Sequence, residues 1–166
     1  MNAFPTFRGL FAIAAAAASL TLAAPALADG DTAAPMGAAN PAGADPIPGD
    51  SVFKAFHGQD GIDRIIDDFV GRITTDPRIE ERFANANLVR LRLELKAQIC
   101  YLAGGPCAYT GKDMKTAHEG MGLKNLDFNA LAEDLELAMD KEQVSFQAQN
   151  RLLAKLAPMQ HVIVTK

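Results

Sequence analysis

The 166-residue chain is poor in the residues from which metal and nucleophile sites are usually assembled: it has two cysteines and three histidines. Two cysteines are too few for a disulfide-built scaffold or for a structural zinc site of the usual four-ligand kind. No C-x-x-C-H string occurs, which excludes covalent attachment of a c-type haem. Also missing are H-E-x-x-H, a phosphate-cradling glycine loop and G-x-S-x-G, as are the E-x-x-H pairs from which a helical bundle builds a di-iron site. Spacing alone neither excludes nor favours a nucleophile triad. Positive charge is not in excess, since 16 Lys and Arg face 20 Asp and Glu for a net charge of −4. Nucleic acid, which needs a basic footprint, is therefore not the expected partner. With 49% hydrophobic and 22% charged residues, the composition fits neither a disordered chain nor a polytopic membrane protein.

Residues 1–28 carry one charge, Arg8, followed by an apolar stretch from Leu10 to Leu22 and by Ala26-Leu27-Ala28 ahead of Asp29. A positive start, a short apolar middle and an A-x-A site describe a secretory signal peptide. The run is short and alanine-rich for a membrane anchor, so the expected mature chain begins near Asp29, is exported, most simply to the periplasm, and keeps no stable membrane insertion. Residues 29–50 are rich in Gly, Pro and Ala and have no aromatic residue. Such a segment buries little apolar surface against its ordering entropy. It reads as a disordered tether, leaving residues 51–166 as the folded domain.

Within that domain no window alternates with period two, and several repeat at three and four. Ile62, Ile65, Ile66, Phe69, Val70 and Ile73 make one face, which stops at Asp76-Pro77. A short segment presents Ile79 and Phe83. Leu88, Leu91, Leu95, Ile99 and Leu102 form a second stripe ending at Gly104-Gly105-Pro106. Lys112 to Glu119 is a short helix, Gly120 and Gly122 break the chain, and helices follow over Leu126–Met139 and Val144–Leu156. The expectation is an all-α domain of about six helices with short links.

In such a bundle one chemistry stands out, a lone histidine beside an apolar cavity. His118 is the candidate, with Met114 one turn earlier on the same face. One ring nitrogen is then free for a metal while a backbone carbonyl orients the other. The plain alternative is a surface or satisfied core histidine.

The residues Asp68-Phe69, Asp76-Pro77-Arg78, Phe83, Gly104-Gly105-Pro106, Tyr109-Thr110-Gly111, Met114 and His118-x-Gly-x-Gly-Leu123 resemble the group I truncated haemoglobins, over Ser51 to about Pro158. The resemblance implies a two-over-two helical sandwich around a b-type haem, with His118 as the proximal iron ligand. It further implies that Phe83 wedges the haem and that Leu91, Leu95 and Ile99 line the ligand side, with Phe69 and Val70 among the haem contacts. Met114, Leu123 and Phe128 would pack the proximal side, and Lys112 would pair with a haem propionate.

The departures from the family pattern matter more. Members commonly place a tyrosine after the phenylalanine of the D-F pair and a glutamine on the second long helix; this chain has Val70 and Leu95 there. A hydrogen bond to a partly charged ligand is worth about 1–3 kcal/mol, roughly ten- to more than a hundredfold in retention. The expectation is fast release of oxygen, with little penalty for carbon monoxide or nitric oxide, unless Gln98 or Tyr101 swings in as a donor. His57 reads as an exposed helix end or as a sixth iron ligand. His161 reads as a surface residue or, as in some family members, as a covalent link to a haem vinyl group. Cys100 and Cys107 are either disulfide-bonded or two buried thiols.

Three functional readings follow. The first is a haem protein binding a diatomic gas, served by an electron donor or reductase of unknown identity. The second is a haem enzyme, a nitric oxide dioxygenase or peroxidase-like, and the third a helical interaction module that has lost haem.

Overall fold

The computed structural model describes residues 40–166. The expected signal peptide, residues 1–28, and residues 29–39 of the expected tether lie outside the described residues.

Each apolar stripe becomes a helix whose end is fixed by a local bond. Helix α1 spans Ser51–Ala55 and α2 spans Gly58–Ile73. In the turn at Asp76-Pro77, the Asp76 carboxylate accepts the Arg78 N–H at 2.8 Å and its carbonyl accepts from Ile79 at 3.0 Å, so that α3 begins only at Glu80 and ends at Phe83. Helix α4, Leu88–Leu102, opens on Asn87, whose side chain accepts the Arg90 N–H at 3.0 Å. Asp113 starts the short α5, Met114–His118, by accepting the Thr116 N–H at 3.0 Å. Helices α6, Asn125–Lys141, and α7, Phe146–Leu156, are followed by a 3₁₀ turn over Ala157–Met159 and by α8, Gln160–Ile163. There is no strand among the described residues.

Helix α2 is central, because its predicted face of Ile62, Ile65, Ile66, Phe69, Val70 and Ile73 is buried throughout. It packs on both α4 and α6, while α7 reaches α1, α4 and α6. The pair α2/α4 thus lies against α6/α7 in the expected two-over-two arrangement. Asp68 pins α2 to α6: it accepts from Arg72 at 2.6 Å within its own helix and from Lys141 across the interface. Burial works against its ionised form, but the bonds from Lys141 and Arg72 prevail and hold the carboxyl below its ordinary range.

The tether does not extend as far as expected. Residues 40–50 form an ordered strap over the end of α4. Ala42 and Ile47 are buried, Gly43 N–H closes a turn on the Asn40 carbonyl at 2.8 Å, and Ile47 N–H donates to the Leu102 carbonyl at 2.9 Å. Composition misjudged the segment because its ordering is driven by bonding partners far away in sequence. The last carbonyls of a helix need donors, and the strap and α1 supply them, Phe53 N–H reaching Ala103 at 3.0 Å.

Gly104 makes this approach possible. Its N–H bonds to Tyr101 and that of Gly105 to Cys100, the paired bonds of a Schellman end. At φ +80° a Cβ on Gly104 would lie 2.1 Å from the Gly49 carbonyl oxygen. Of the two readings left open for the cysteines, the bonded one holds: Cys100 and Cys107 form a disulfide across this turn with Cα atoms 5.9 Å apart. No helix among the described residues is long and apolar enough to cross a membrane.

One buried charge is poorly served. Asp134 on α6 is buried beside Asp76, and its Oδ2 has no hydrogen-bond partner. Burial first, and the charge of Asp76 second, raise its carboxyl above the ordinary value. Ionised Asp134 therefore destabilises the fold, by an amount that is absent below the unfolded carboxyl value near pH 4 and grows as pH rises past it. Asp134→Asn should raise stability at pH 7 by about 1 kcal/mol and have little effect at pH 3.5, as measured by urea unfolding at the two pH values.

Candidate functional site

Between the two layers lies a cavity of about 610 Å³, within the roughly 300–1,000 Å³ of small-molecule and cofactor sites. Its walls come from both layers and from the chain that joins them. Helix α2 contributes Ile66, Phe69 and Ile73, α3 contributes Phe83, and α4 contributes Leu91, Leu95, Gln98 and Ile99. Opposite them stand Met114 and His118 of α5, Leu123, and Phe128 and Leu131 of α6. Lys112 lies at the mouth and is exposed.

Nearly all the residues singled out from the sequence therefore meet at one place. Val70 does not. It is wholly buried, but the α2 wall of the cavity is made by its neighbours Ile66, Phe69 and Ile73. The physical reason is that the Val70 side chain is taken up by the packing of the core.

His118 is held in one orientation. Its Nδ1 lies 2.7 Å from the Met114 carbonyl oxygen. A carbonyl only accepts, so Nδ1 is the donor in this bond, and Nε2 is the ring nitrogen left for a metal on a side chain that lines the cavity. The short α5 and its Asp113 cap bring Met114 and His118 into this register.

Gln98 and Tyr109, two polar side chains on the walls, both donate elsewhere. Gln98 is buried, and its Nε2 donates to the Ala42 carbonyl at 2.9 Å and to Met114 Sδ at 3.2 Å. Tyr109 donates its hydroxyl to the Lys112 carbonyl at 2.8 Å; burial first, then the charges of Glu94 and Asp113, push that phenol up. Tyr101, the other proposed donor, is not on the cavity and accepts from Asn40 Nδ2 at 3.0 Å. The α4 side thus presents Leu91, Leu95 and Ile99 with no free hydrogen-bond donor among them.

The remaining histidines stand apart from the cavity. His57 has φ +60° at the start of α2 and turns its Nε2 to the Glu142 carbonyl at 3.2 Å, which fits the exposed helix end and not a sixth ligand. His161 is exposed on α8, whose Ile163 is the residue that reaches the wall. Among the described residues no three His, Cys, Asp or Glu gather as a metal site.

A flat apolar macrocycle that brings its own iron and two carboxylate arms fits this donor set. One imidazole nitrogen is available, the walls are mostly hydrocarbon and sulfur, and Arg90 and Lys112 supply positive charge. Arg82 reached the cavity without being foreseen. It donates to Asp127 Oδ2 at 3.0 Å and to the Met121 carbonyl at 3.3 Å, bracing the loop that follows His118.

Residues 51–165 match the family model described as bacterial-like globin. The chain is 30% identical over 116 residues to the group 1 truncated haemoglobin GlbN of Nostoc commune, covering 70% of this chain and 98% of that protein. The fold is similar to the Fe(III) truncated haemoglobin of Tetrahymena pyriformis, with a TM-score of 0.67, 24% identity and coverage of 69% and 98%. It is also similar to the 2/2 haemoglobin of Synechococcus sp. PCC 7002, a structure with covalently attached haem, with a TM-score of 0.62, 26% identity and coverage of 68% and 94%.

Asp127 serves two purposes at once, as partner of Arg82 and as acceptor of the Lys124 N–H at 2.9 Å at the start of α6. Asp127→Ala should cost about 2 kcal/mol. Amide hydrogen exchange should speed up at residues 119–124 before it does so in α2.

Proposed function

Because the chain belongs to the bacterial-like globins, whose cofactor is haem and whose ligands are diatomic gases, we propose that it is an exported protein that binds such a gas reversibly at a b-type haem ligated by His118. The observation that carries this reading is the 2.7 Å bond from His118 Nδ1 to the Met114 carbonyl. It fixes the tautomer and the ring plane, the usual way in which a protein prepares an imidazole for a metal. Haem supplies an iron centre with a position open to a gas, and the chain supplies everything that decides how long the gas stays.

On the α4 side, Phe69, Leu91, Leu95 and Ile99 exclude water and donate no hydrogen bond. The amide hydrogens of Gln98 and the hydroxyl of Tyr109 are already engaged elsewhere. Oxygen, which gains charge on binding and is retained by donors, is then released quickly. Carbon monoxide and nitric oxide lose little. A wall of Leu91, Leu95 and Ile99 would offer no polar group to retain oxygen or to assist O–O cleavage, and it favours binding over nitric oxide dioxygenation or peroxidase-like turnover. An electron donor or reductase is needed to return oxidised protein to the ferrous state.

Rapid mixing of the ferrous protein with oxygen tests the reading. Leu95→Gln should slow oxygen dissociation by about tenfold or more, since a donor to a polarised ligand is worth about 1–3 kcal/mol, and should leave carbon monoxide nearly unchanged. His118→Ala should abolish the ferrous five-coordinate spectrum, with free imidazole restoring it. Slow oxygen release by the unaltered protein, or a spectrum indifferent to His118, would overturn the proposal.

Export rests on Arg8, the apolar stretch Leu10–Leu22 and the Ala26-Leu27-Ala28 site. Mass spectrometry of the protein recovered from the periplasmic fraction should find a chain beginning at Asp29; an intact N-terminus in the cytoplasmic fraction would refute it.

A further inference from the structure

We infer that the strap over residues 40–47 is a positioning element for the haem site, acting on His118 through Gln98 and Met114. The inference rests on the proposed ligation by His118 and adds to it a part of the chain that precedes the family match, which begins at residue 51.

A continuous set of bonds joins the two. The Gln98 amide has two N–H groups, and both are used. One donates to the Ala42 carbonyl at 2.9 Å and the other to Met114 Sδ at 3.2 Å. Turning the amide over would set its oxygen against the Ala42 oxygen, so the contact itself fixes the assignment. Met114 then offers its own carbonyl to His118 Nδ1 at 2.7 Å. Both the side chain and the backbone of Met114 are engaged, the first toward the strap and the second toward the imidazole.

Packing closes the same path. Gly43, at φ +88°, lets the strap backbone lie against the side chains that form this corner of the cavity. A Cβ there would come within 2.6 Å of Met159 Cε and 2.9 Å of Met114 Cγ. The strap cannot slide, because Asn40 Nδ2 holds the Tyr101 hydroxyl at 3.0 Å and Ile47 N–H holds Leu102 at 2.9 Å. Helix α5 is a single short turn, so its residues depend on such outside contacts for their place.

Chemically, a carbonyl held firmly against Nδ1–H draws electron density onto the ring and makes Nε2 a stronger donor to iron. If the strap or Gln98 is altered, Met114 relaxes, the Nδ1 bond loosens and the iron–imidazole bond weakens. Outer partners of a metal-bound histidine are worth roughly 10- to 100-fold in metal affinity, and an effect relayed through Met114 belongs at the lower end.

Two variants of the full chain test this. Gln98→Met keeps the volume of the side chain and removes both donated bonds. Gly43→Val pushes the strap off Met114 and Met159 and leaves Gln98 intact. Resonance Raman of the ferrous protein reads the iron–imidazole stretch directly, and transfer of haem to an excess of an acceptor globin reads retention. Both variants should move the stretch to lower frequency and broaden it, with haem loss about tenfold faster. A purely structural role for the strap would lower the melting temperature and leave the stretch where it was. That result in Gln98→Met overturns the inference, even if Gly43→Val fails to fold. Absence of any iron–imidazole stretch in the unaltered protein would instead overturn the reading of His118 itself.

Discussion

The hydrogen bond between His118 Nδ1 and the Met114 carbonyl is the interaction on which the site depends. An imidazole free to rotate offers either nitrogen, in any plane, and binds a metal at random orientation. Tied to a backbone carbonyl four residues earlier, it offers one nitrogen in one direction. The rest of the fold can be understood as the support for that carbonyl. Asp113 starts the turn that carries it, Gln98 holds the side chain of the same residue, and Arg82 braces the loop immediately after the histidine.

A second constraint is the separation of polar from apolar groups. A cavity of this size exposes polar side chains unless they find partners elsewhere. Two on its walls do: Gln98 turns to Ala42 and Met114, and Tyr109 to Lys112. The consequence is a hydrocarbon lining on the α4 side and charge confined to the rim. In the proposed function, that distribution would give the gas little beyond the metal to interact with and would favour fast exchange over retention. Asp134, a carboxyl left with one oxygen unbonded, is not among the residues that line the cavity.

Much of this was legible in the residue order, for a physical reason. Helices whose inner face must pack every three or four residues write that face into the sequence, so α2 and α4 could be drawn from Ile62 to Ile73 and from Leu88 to Leu102. The same periodicity brought Leu91, Leu95 and Ile99 to one wall, and the H-x-G-x-G break after α5 marked His118. Val70 shows the limit of that logic. Lying on the inner face of a helix does not decide whether a side chain meets the core or the cavity, since both are inside. The strap was illegible for a different reason. Gly, Pro and Ala carry no periodic signal, and the donors and acceptors that order residues 40–50 belong to Leu102, Tyr101 and Gln98, up to 61 residues away. Gln98 was noticed as a donor, but what it donates to could come only from three-dimensional placement.

The match to the globin family model starts at Ser51, yet the carbonyls of Leu102 and Ala103 are closed by N–H groups of Ile47 and Phe53, one on each side of that border. The segment that the family model matches and the segment that closes the end of α4 are therefore of different length. Trimming it to the part shared with its relatives would uncap a helix in the middle of the fold and uncover apolar surface against which Ala42 and Ile47 now lie. The stretch that looks most like dispensable leader thus closes the end of α4, and a change there can reach the cavity wall through Gln98 without touching a single residue that lines it.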